Sequence, residues 1–316
     1  LAWFGAWLPN TYNAKGGPTL GTFVGLVTFN AAPVGRALGL LRATFGIPGG
    51  WIALGALAAI GVLLGRRKLR RETLLLLAAA LLGALPYLVL PPDWMPEFRF
   101  ATPFFPIALA FLAVLATDLG SVVPAHRLPL AGTVFAAGAI LLTLASTIPR
   151  SVRFAVDPTV PFAVVEQRYG RDYNRFADQL GVRAGSILLP DIGGTLWRSR
   201  LTVFDLVGLC DPTIAKTLGK NDQAFHDYVF ETLRPTFLHT HQYWTLRAKL
   251  DLDPRFDRDY LPLWQEVDPY AAARGLALRS GDFVRRDVAA SHPQEIEAIR
   301  AELAARYELE RNPASD

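Results

Sequence analysis

Arg66-Arg-Lys-Leu-Arg-Arg71 is followed by Glu72 and then by Thr73-Leu-Leu-Leu-Leu-Ala-Ala-Ala-Leu-Leu-Gly-Ala-Leu-Pro-Tyr-Leu-Val-Leu-Pro-Pro92, a run without a charge. A bilayer core of roughly 30 Å needs about 20 mostly apolar residues in a helix. The basic cluster beside the run marks the cytoplasmic side of such a helix. Working outward, the same pattern predicts four transmembrane helices, at about 47–65, 73–90, 101–117 and 129–148. Polar backbone in lipid must be bonded internally, so each is expected to be helical. Residues 16–35 are also uncharged but hold Gly16, Gly17, Pro18, Gly21, Gly25, Asn30 and Pro33. They read as an interfacial or re-entrant helix.

Charge divides the chain. Residues 1–148 carry ten Lys/Arg and four acids, leaving most of the 32 bases and 28 acids to residues 149–316. The predicted fold is therefore a membrane α-helical domain, 1–149, followed by a soluble α/β domain, 150–316. The basic pI of about 9.3 comes from the apolar part and points away from nucleic-acid binding. A lone Cys210 excludes an internal disulfide. The one methionine is Met95, so Leu1 is not expected to be a natural start and residues are expected upstream.

The positive-inside rule and parity give the topology. The loop Pro91-Pro-Asp-Trp-Met-Pro-Glu-Phe-Arg-Phe100 is expected outside, with the α/β domain on the same side and the segment Pro9-Asn-Thr-Tyr12 there too if nothing between Lys15 and Arg42 spans. This loop holds three charges and three aromatics between two apolar runs. Arg99 can clamp a phosphate with its planar fork. Asp93 and Glu97 can bind sugar hydroxyls or a metal ion, and Trp94 can stack on a sugar or anchor at headgroup level. The simpler reading is a polar turn with an aromatic belt. Asn10, Tyr12 and Lys15 form a second external polar segment, with Lys15 facing a lipid phosphate or merely snorkelling.

In the α/β domain, Ser186–Leu189 reads as a strand ending at Pro190-Asp-Ile-Gly-Gly194, and Leu201–Phe204 as a second ending at Asp205. Glycines after a strand allow close approach to a ligand, but GxGxxG is absent, and a tight turn with Asp capping is as good a reading. Asp211 or Thr213 is read as the cap of a following helix. Phe162–Leu180 and Asn221–Leu233 read as helices, and Thr236–His239 as a strand. Gly275–Arg279 and Asp282–Arg286 read as a hairpin around Ser280-Gly281, and a last helix starts near Ser291. His239-Thr-His241 suggests a metal pair only weakly.

Three motifs in order resemble the GT-C glycosyltransferase superfamily, in particular the branch of terminal β-arabinofuranosyltransferases. They are Leu8-Pro-Asn-Thr-Tyr-Asn-Ala-Lys15, Asp93-Trp-Met-Pro-Glu-Phe-Arg-Phe100, and Leu189-Pro-Asp-Ile-Gly-Gly194 with Val203-Phe-Asp-Leu-Val-Gly-Leu-Cys-Asp-Pro-Thr-Ile-Ala215. The resemblance implies a multi-pass plasma-membrane enzyme that takes sugar from a polyprenyl-phosphate donor outside the cytoplasm. The acceptor would be a cell-envelope glycan or glycolipid. The catalytic carboxylate of such enzymes sits in a first external loop, expected upstream of Leu1. Substrate contacts would then fall on Arg99, Asp93, Glu97, Trp94, Asn10, Tyr12, Lys15, Asp191 and Asp205, with a divalent cation as a candidate cofactor.

The alternative is a non-catalytic, membrane-anchored envelope protein whose soluble domain binds glycan or protein. A transporter is disfavoured, because none of the predicted spans carries the internal charge that ion coupling uses.

Overall fold

The structure, a computed structural model, describes residues 14, 24–25, 28, 31–46, 49–89, 101–122, 129–158 and 160–311. The chain divides into two compact units, one of residues 17–159 and one of residues 160–316 together with 1–16.

The described helices of the first unit are α1 (Ala31–Phe45), α2 (Gly49–Gly65), α3 (Arg71–Val89), α4 (Phe104–Gly120) and α5 (Pro129–Val156). Helices α3 and α4 form an antiparallel hairpin. Arg70, just before α3, pairs with Asp118 near the end of α4. At the other end, a Cβ on Gly83 would lie 3.2 Å from the Phe104 backbone nitrogen. Small residues permit that approach: Ala80 and Ala84 pack with Phe104 and Ala108, and with Leu40 and Phe45 of α1. Thr143 of α5 donates its hydroxyl to the Phe45 carbonyl at 2.9 Å, satisfying a carbonyl at the end of α1 that has no partner within its own helix.

The four predicted spans are not supported. Among the described residues only α3 is long and apolar enough to cross a bilayer, with α1 and α2 adding one more only if they count as a single span bent by 97°. Helix α4 is apolar but has 17 residues, about 25 Å of rise against a core of roughly 30 Å. Helix α5 is longer but runs on through Pro149, Arg150 and Arg153, so the expected join at 149–150 falls inside it. The physical reason is that an uncharged run is not the same as an unbroken helix. The chain bends sharply between α1 and α2, where the sequence shows no charge. Of the expected interfacial helix at 16–35, residues 24–25, 28 and 31–35 are described, and the last five open α1; the rest lies outside the described residues.

The second unit is built on a mixed five-stranded sheet, in the order β2-β1-β3-β5-β4. Strands β1 (Ser186–Leu189), β2 (Thr202–Asp205) and β3 (Phe237–Thr240) are parallel, and β4 (Tyr260–Val267) and β5 (Arg279–Arg285) add antiparallel pairs. Strand residues alternate between faces, and both faces are covered. Ile187 and Leu189 pack with Phe176, Phe237, Ile299 and Leu303 on one side. Leu188 packs with Leu206, Phe225, Leu238 and Phe283 on the other. Parallel strands need this two-sided cover. The helices that matter below are α6 (Asp172–Gln179), α7 (Ile192–Arg198), α8 (Gln242–Ala248) and α9 (Pro293–Arg311).

The expected hairpin around Ser280-Gly281 does not form. Residues 279–285 are one strand, β5, held between β3 and β4. Strand β4 went unread because Pro262 interrupts its pattern; proline cannot donate to a ladder and belongs on edge strands, which is where β4 lies. Gly281 is not a turn residue. Its φ is +140°, and a Cβ there would meet the Trp264 carbonyl oxygen at 2.2 Å, beside the irregularity between Pro262 and Trp264. The helix expected over 162–180 is also divided, with a π-helical stretch at Glu166–Arg171 before α6.

Candidate functional site

Strand order builds the site. From β1 the chain moves to one side to make β2, then crosses to the other side of β1 to make β3. The carboxyl ends of β1 and β3 therefore sit at a topological switch point, where open α/β sheets form their ligand crevices. Asp191 follows β1 and His241 follows β3. They meet there: His241 Nε2 lies 2.8 Å from Asp191 Oδ2, with both side chains partly exposed.

Next to His241 a buried network fixes the floor of the site. The rings of His239 and His241 are 5.4 Å apart, and His239 Nδ1 lies 2.6 Å from Asp282 Oδ1 across the β3–β5 ladder. Asp282 also accepts from the Tyr173 hydroxyl at 2.5 Å and the Tyr307 hydroxyl at 2.7 Å. Tyr169 lies against the face of His239, 4.6 Å between centroids. Trp264 stacks on Tyr307 at 3.4 Å, and the Arg168 guanidinium covers the Tyr307 ring at 4.5 Å.

The protonation states follow from burial. Burial, helped by the nearby charges of His241 and Arg168, lowers the His239 pKa despite the Asp282 carboxylate, so the ring is neutral near pH 7. Its Nδ1–H goes to Asp282, which leaves the lone pair on Nε2. Burial alone would raise the Asp282 carboxyl, but His239 and the hydroxyls of Tyr173 and Tyr307 outweigh it and hold it well below the usual carboxylate range. Burial likewise works to raise Asp191, and the hydrogen bond and charge of His241 overcome it, so its carboxyl is lowered. His239 Nε2 and Arg168 Nε are buried without a hydrogen-bond partner among the described residues.

Asp191 is thus a carboxylate at the strand-end crevice. Of the glycines after it, Gly194 serves packing: a Cβ there would lie 2.7 Å from the Glu166 backbone nitrogen, so Gly194 lets α7 seat on the π-helical stretch, whereas a Cβ on Gly193 would meet nothing within 4 Å. Asp205 belongs to a turn. Its two oxygens accept from the Val207 and Cys210 backbone amides at 2.9 and 2.8 Å, and burial, opposed by these amides, raises its pKa. Asp211 caps the helix Pro212–Thr217 through the Thr213 and Ile214 amides. The His239–His241 pair is divided between two carboxylates, and among the described residues no group of three or more His, Cys, Asp and Glu is placed to hold a metal ion.

Asn10, Tyr12, Lys15, Asp93, Trp94, Glu97 and Arg99 lie outside the described residues. Sequence reading missed Asp282, Tyr173 and Tyr307. An acid between Gly281 and Phe283 in a β-rich stretch was the only local signal, and the tyrosines carried none.

No protein-family model matches the chain, and neither a curated protein nor a solved structure does. The resemblance to GT-C enzymes therefore rests on the sequence motifs.

Proposed function

We propose that the chain is part of a membrane glycosyltransferase that draws sugar from a polyprenyl-phosphate donor and passes it to a cell-envelope glycan or glycolipid outside the cytoplasm. The observation that carries this reading is the outward apolar surface of α3 in a chain that also holds a polar strand-end site. Only 22% of its apolar window is buried, unlike the core helix of a soluble protein, and Leu75, Leu81 and Leu82 are exposed. Apolar surface on this scale calls for lipid or a large apolar partner.

The chemistry assigns roles. Transfer releases a lipid phosphate, and the departing anion needs a cation beside it. Arg99 is proposed for that role, with Lys15 as a second cation and Asp93 and Glu97 on sugar hydroxyls or on Arg99. Asp191, held by His241, is proposed to accept hydrogen bonds from acceptor hydroxyls at the strand-end crevice.

A non-catalytic glycan-binding reading has one observation in its favour: both Asp191 and Asp205 are already bonded within the domain. Membrane vesicles holding the full-length protein, supplied with radiolabelled polyprenyl-phosphate sugars and envelope glycan, separate the two. Label transfer that Arg99→Ala abolishes while the protein stays folded supports the enzyme. Glycan retention without transfer of any supplied sugar supports the binder. Full turnover in Arg99→Ala removes Arg99 from the mechanism.

A further inference from the structure

At the end of the sheet away from Asp191, where β4 begins and β5 ends, the α/β unit has a cavity of about 260 Å³. Four guanidiniums line it, from Arg234, Arg258, Arg285 and Arg286, against two carboxylates. The carboxylates are matched: Asp259 pairs with Arg258 at 2.7 Å and Asp287 with Arg285 at 2.6 Å. Arg234 and Arg286 are the surplus. The Arg234 guanidinium makes no direct hydrogen bond or ion pair among the described residues, although its charge reaches the Asp259 and Asp287 carboxyls and helps to lower them. Arg286 places only its Nε, on the Asp257 carbonyl at 3.0 Å. Arginine cannot shed its charge in a protein, so this wall carries two positive charges in excess.

The backbone supports a purpose for Arg234. It has φ 42° and ψ 55° at the end of the helical stretch before β3, a left-handed position where glycine is the usual residue. Keeping a long cationic side chain at a strained position is a reason to look for a ligand. Two aromatic rings of its lining are held firmly: the Tyr260 hydroxyl is tied to the Pro235 carbonyl at 2.8 Å, and buried Phe230 meets the Tyr260 ring edge-on.

We propose that this cavity binds a phosphate-class dianion, with the forks of Arg234 and Arg286 on its oxygens. Two surplus guanidiniums match the charge of a phosphoryl group, and their planar donors match its geometry. Free phosphate and a lipid phosphomonoester headgroup offer the same chemistry. The inference does not depend on the glycosyltransferase reading.

The test uses the full chain in phosphatidylcholine–detergent micelles. It is titrated with inorganic phosphate and, separately, with phosphatidic acid in the same micelles. The expected result is one saturable site per chain in at least one arm, weakened at least tenfold in Arg234→Gly and in Arg286→Ala. Glycine suits the backbone at 234, so the melting temperature of that variant is not expected to fall. Saturation by phosphate identifies the free anion as a sufficient ligand; saturation by phosphatidic acid alone identifies the headgroup. Lack of saturable binding in both arms, or binding by both variants equal to the parent, overturns the proposal.

Discussion

His239 and Asp282 face each other across β3 and β5, 2.6 Å apart at Nδ1 and Oδ1 and both almost fully buried. Asp282 is thus the single acceptor for three donors brought together from α6, β3 and α9. Its loss leaves His239, Tyr173 and Tyr307 without an acceptor. Asp282→Ala is expected to destabilise the chain by at least about 3 kcal/mol, because three buried donors are left unpaired at about 1–3 kcal/mol each. Tyr307→Phe, which removes one hydrogen bond to a charged group, is expected to cost about 1.5–3 kcal/mol. Denaturant melts followed by tryptophan fluorescence measure both, and a cost below about 1 kcal/mol for Asp282→Ala would contradict the network.

The pH dependence follows from the same pair. His239 has a folded pKa below its ordinary 6.5. Below about pH 6.5 the unfolded ring takes a proton and the folded ring does not, so the unfolded state binds more protons. Stability then falls on acidification through this window, by at most about 1.4 kcal/mol per pH unit for one group. The depressed Asp282 and Asp191 carboxyls act lower, contributing stability that is lost as pH falls below about 4. His239→Asn keeps a donor for Asp282 and removes the titration. Its melting temperature is expected to vary less than the parent's between pH 6.5 and 5; an unchanged slope would assign the effect to other groups.

Asp191 and His241 are expected to separate stability from function. Both are partly exposed, and such pairs contribute about 0–1 kcal/mol. Asp191→Ala should melt within a few degrees of the parent, while acceptor KM in the vesicle assay rises at least tenfold. A variant with unaltered KM would take Asp191 out of the proposed site.

Gly281→Ala tests the β4–β5 contact. The added Cβ meets the Trp264 carbonyl in a backbone conformation that alanine rarely adopts. Strain of this kind costs of order 1–3 kcal/mol before the clash is counted. A destabilisation of at least about 2 kcal/mol is expected in the same denaturant melts, and a neutral result would mean that the bulge relaxes freely.

The short strand Ser186–Leu189 and the acid after it were legible because an apolar run ending in Pro-Asp-Ile-Gly-Gly carries its own signal. Strand β4 was not, since Pro262 hides an edge strand from any reading that counts alternation. Ser280-Gly281 misled, because glycine signals a turn and a close backbone contact in the same way. Asp191 could be singled out locally. Its partner His241 was visible only as half of a weak metal pair, because a partner 50 residues away is chosen by strand order. The apolar unit misled most, since hydropathy reports composition and not where the helix axis bends.

The Asp282 network also sets an order of events. Tyr173 and Asp282 are 109 residues apart, and Tyr307 comes 25 later. A ribosome adding about 5–20 residues per second leaves the earlier strands exposed for seconds before α9 exists. During translation the sheet must therefore wait for the last helix before its central carboxylate is sealed. Truncation before Tyr307 would strand nascent chains in an open, chaperone-dependent state.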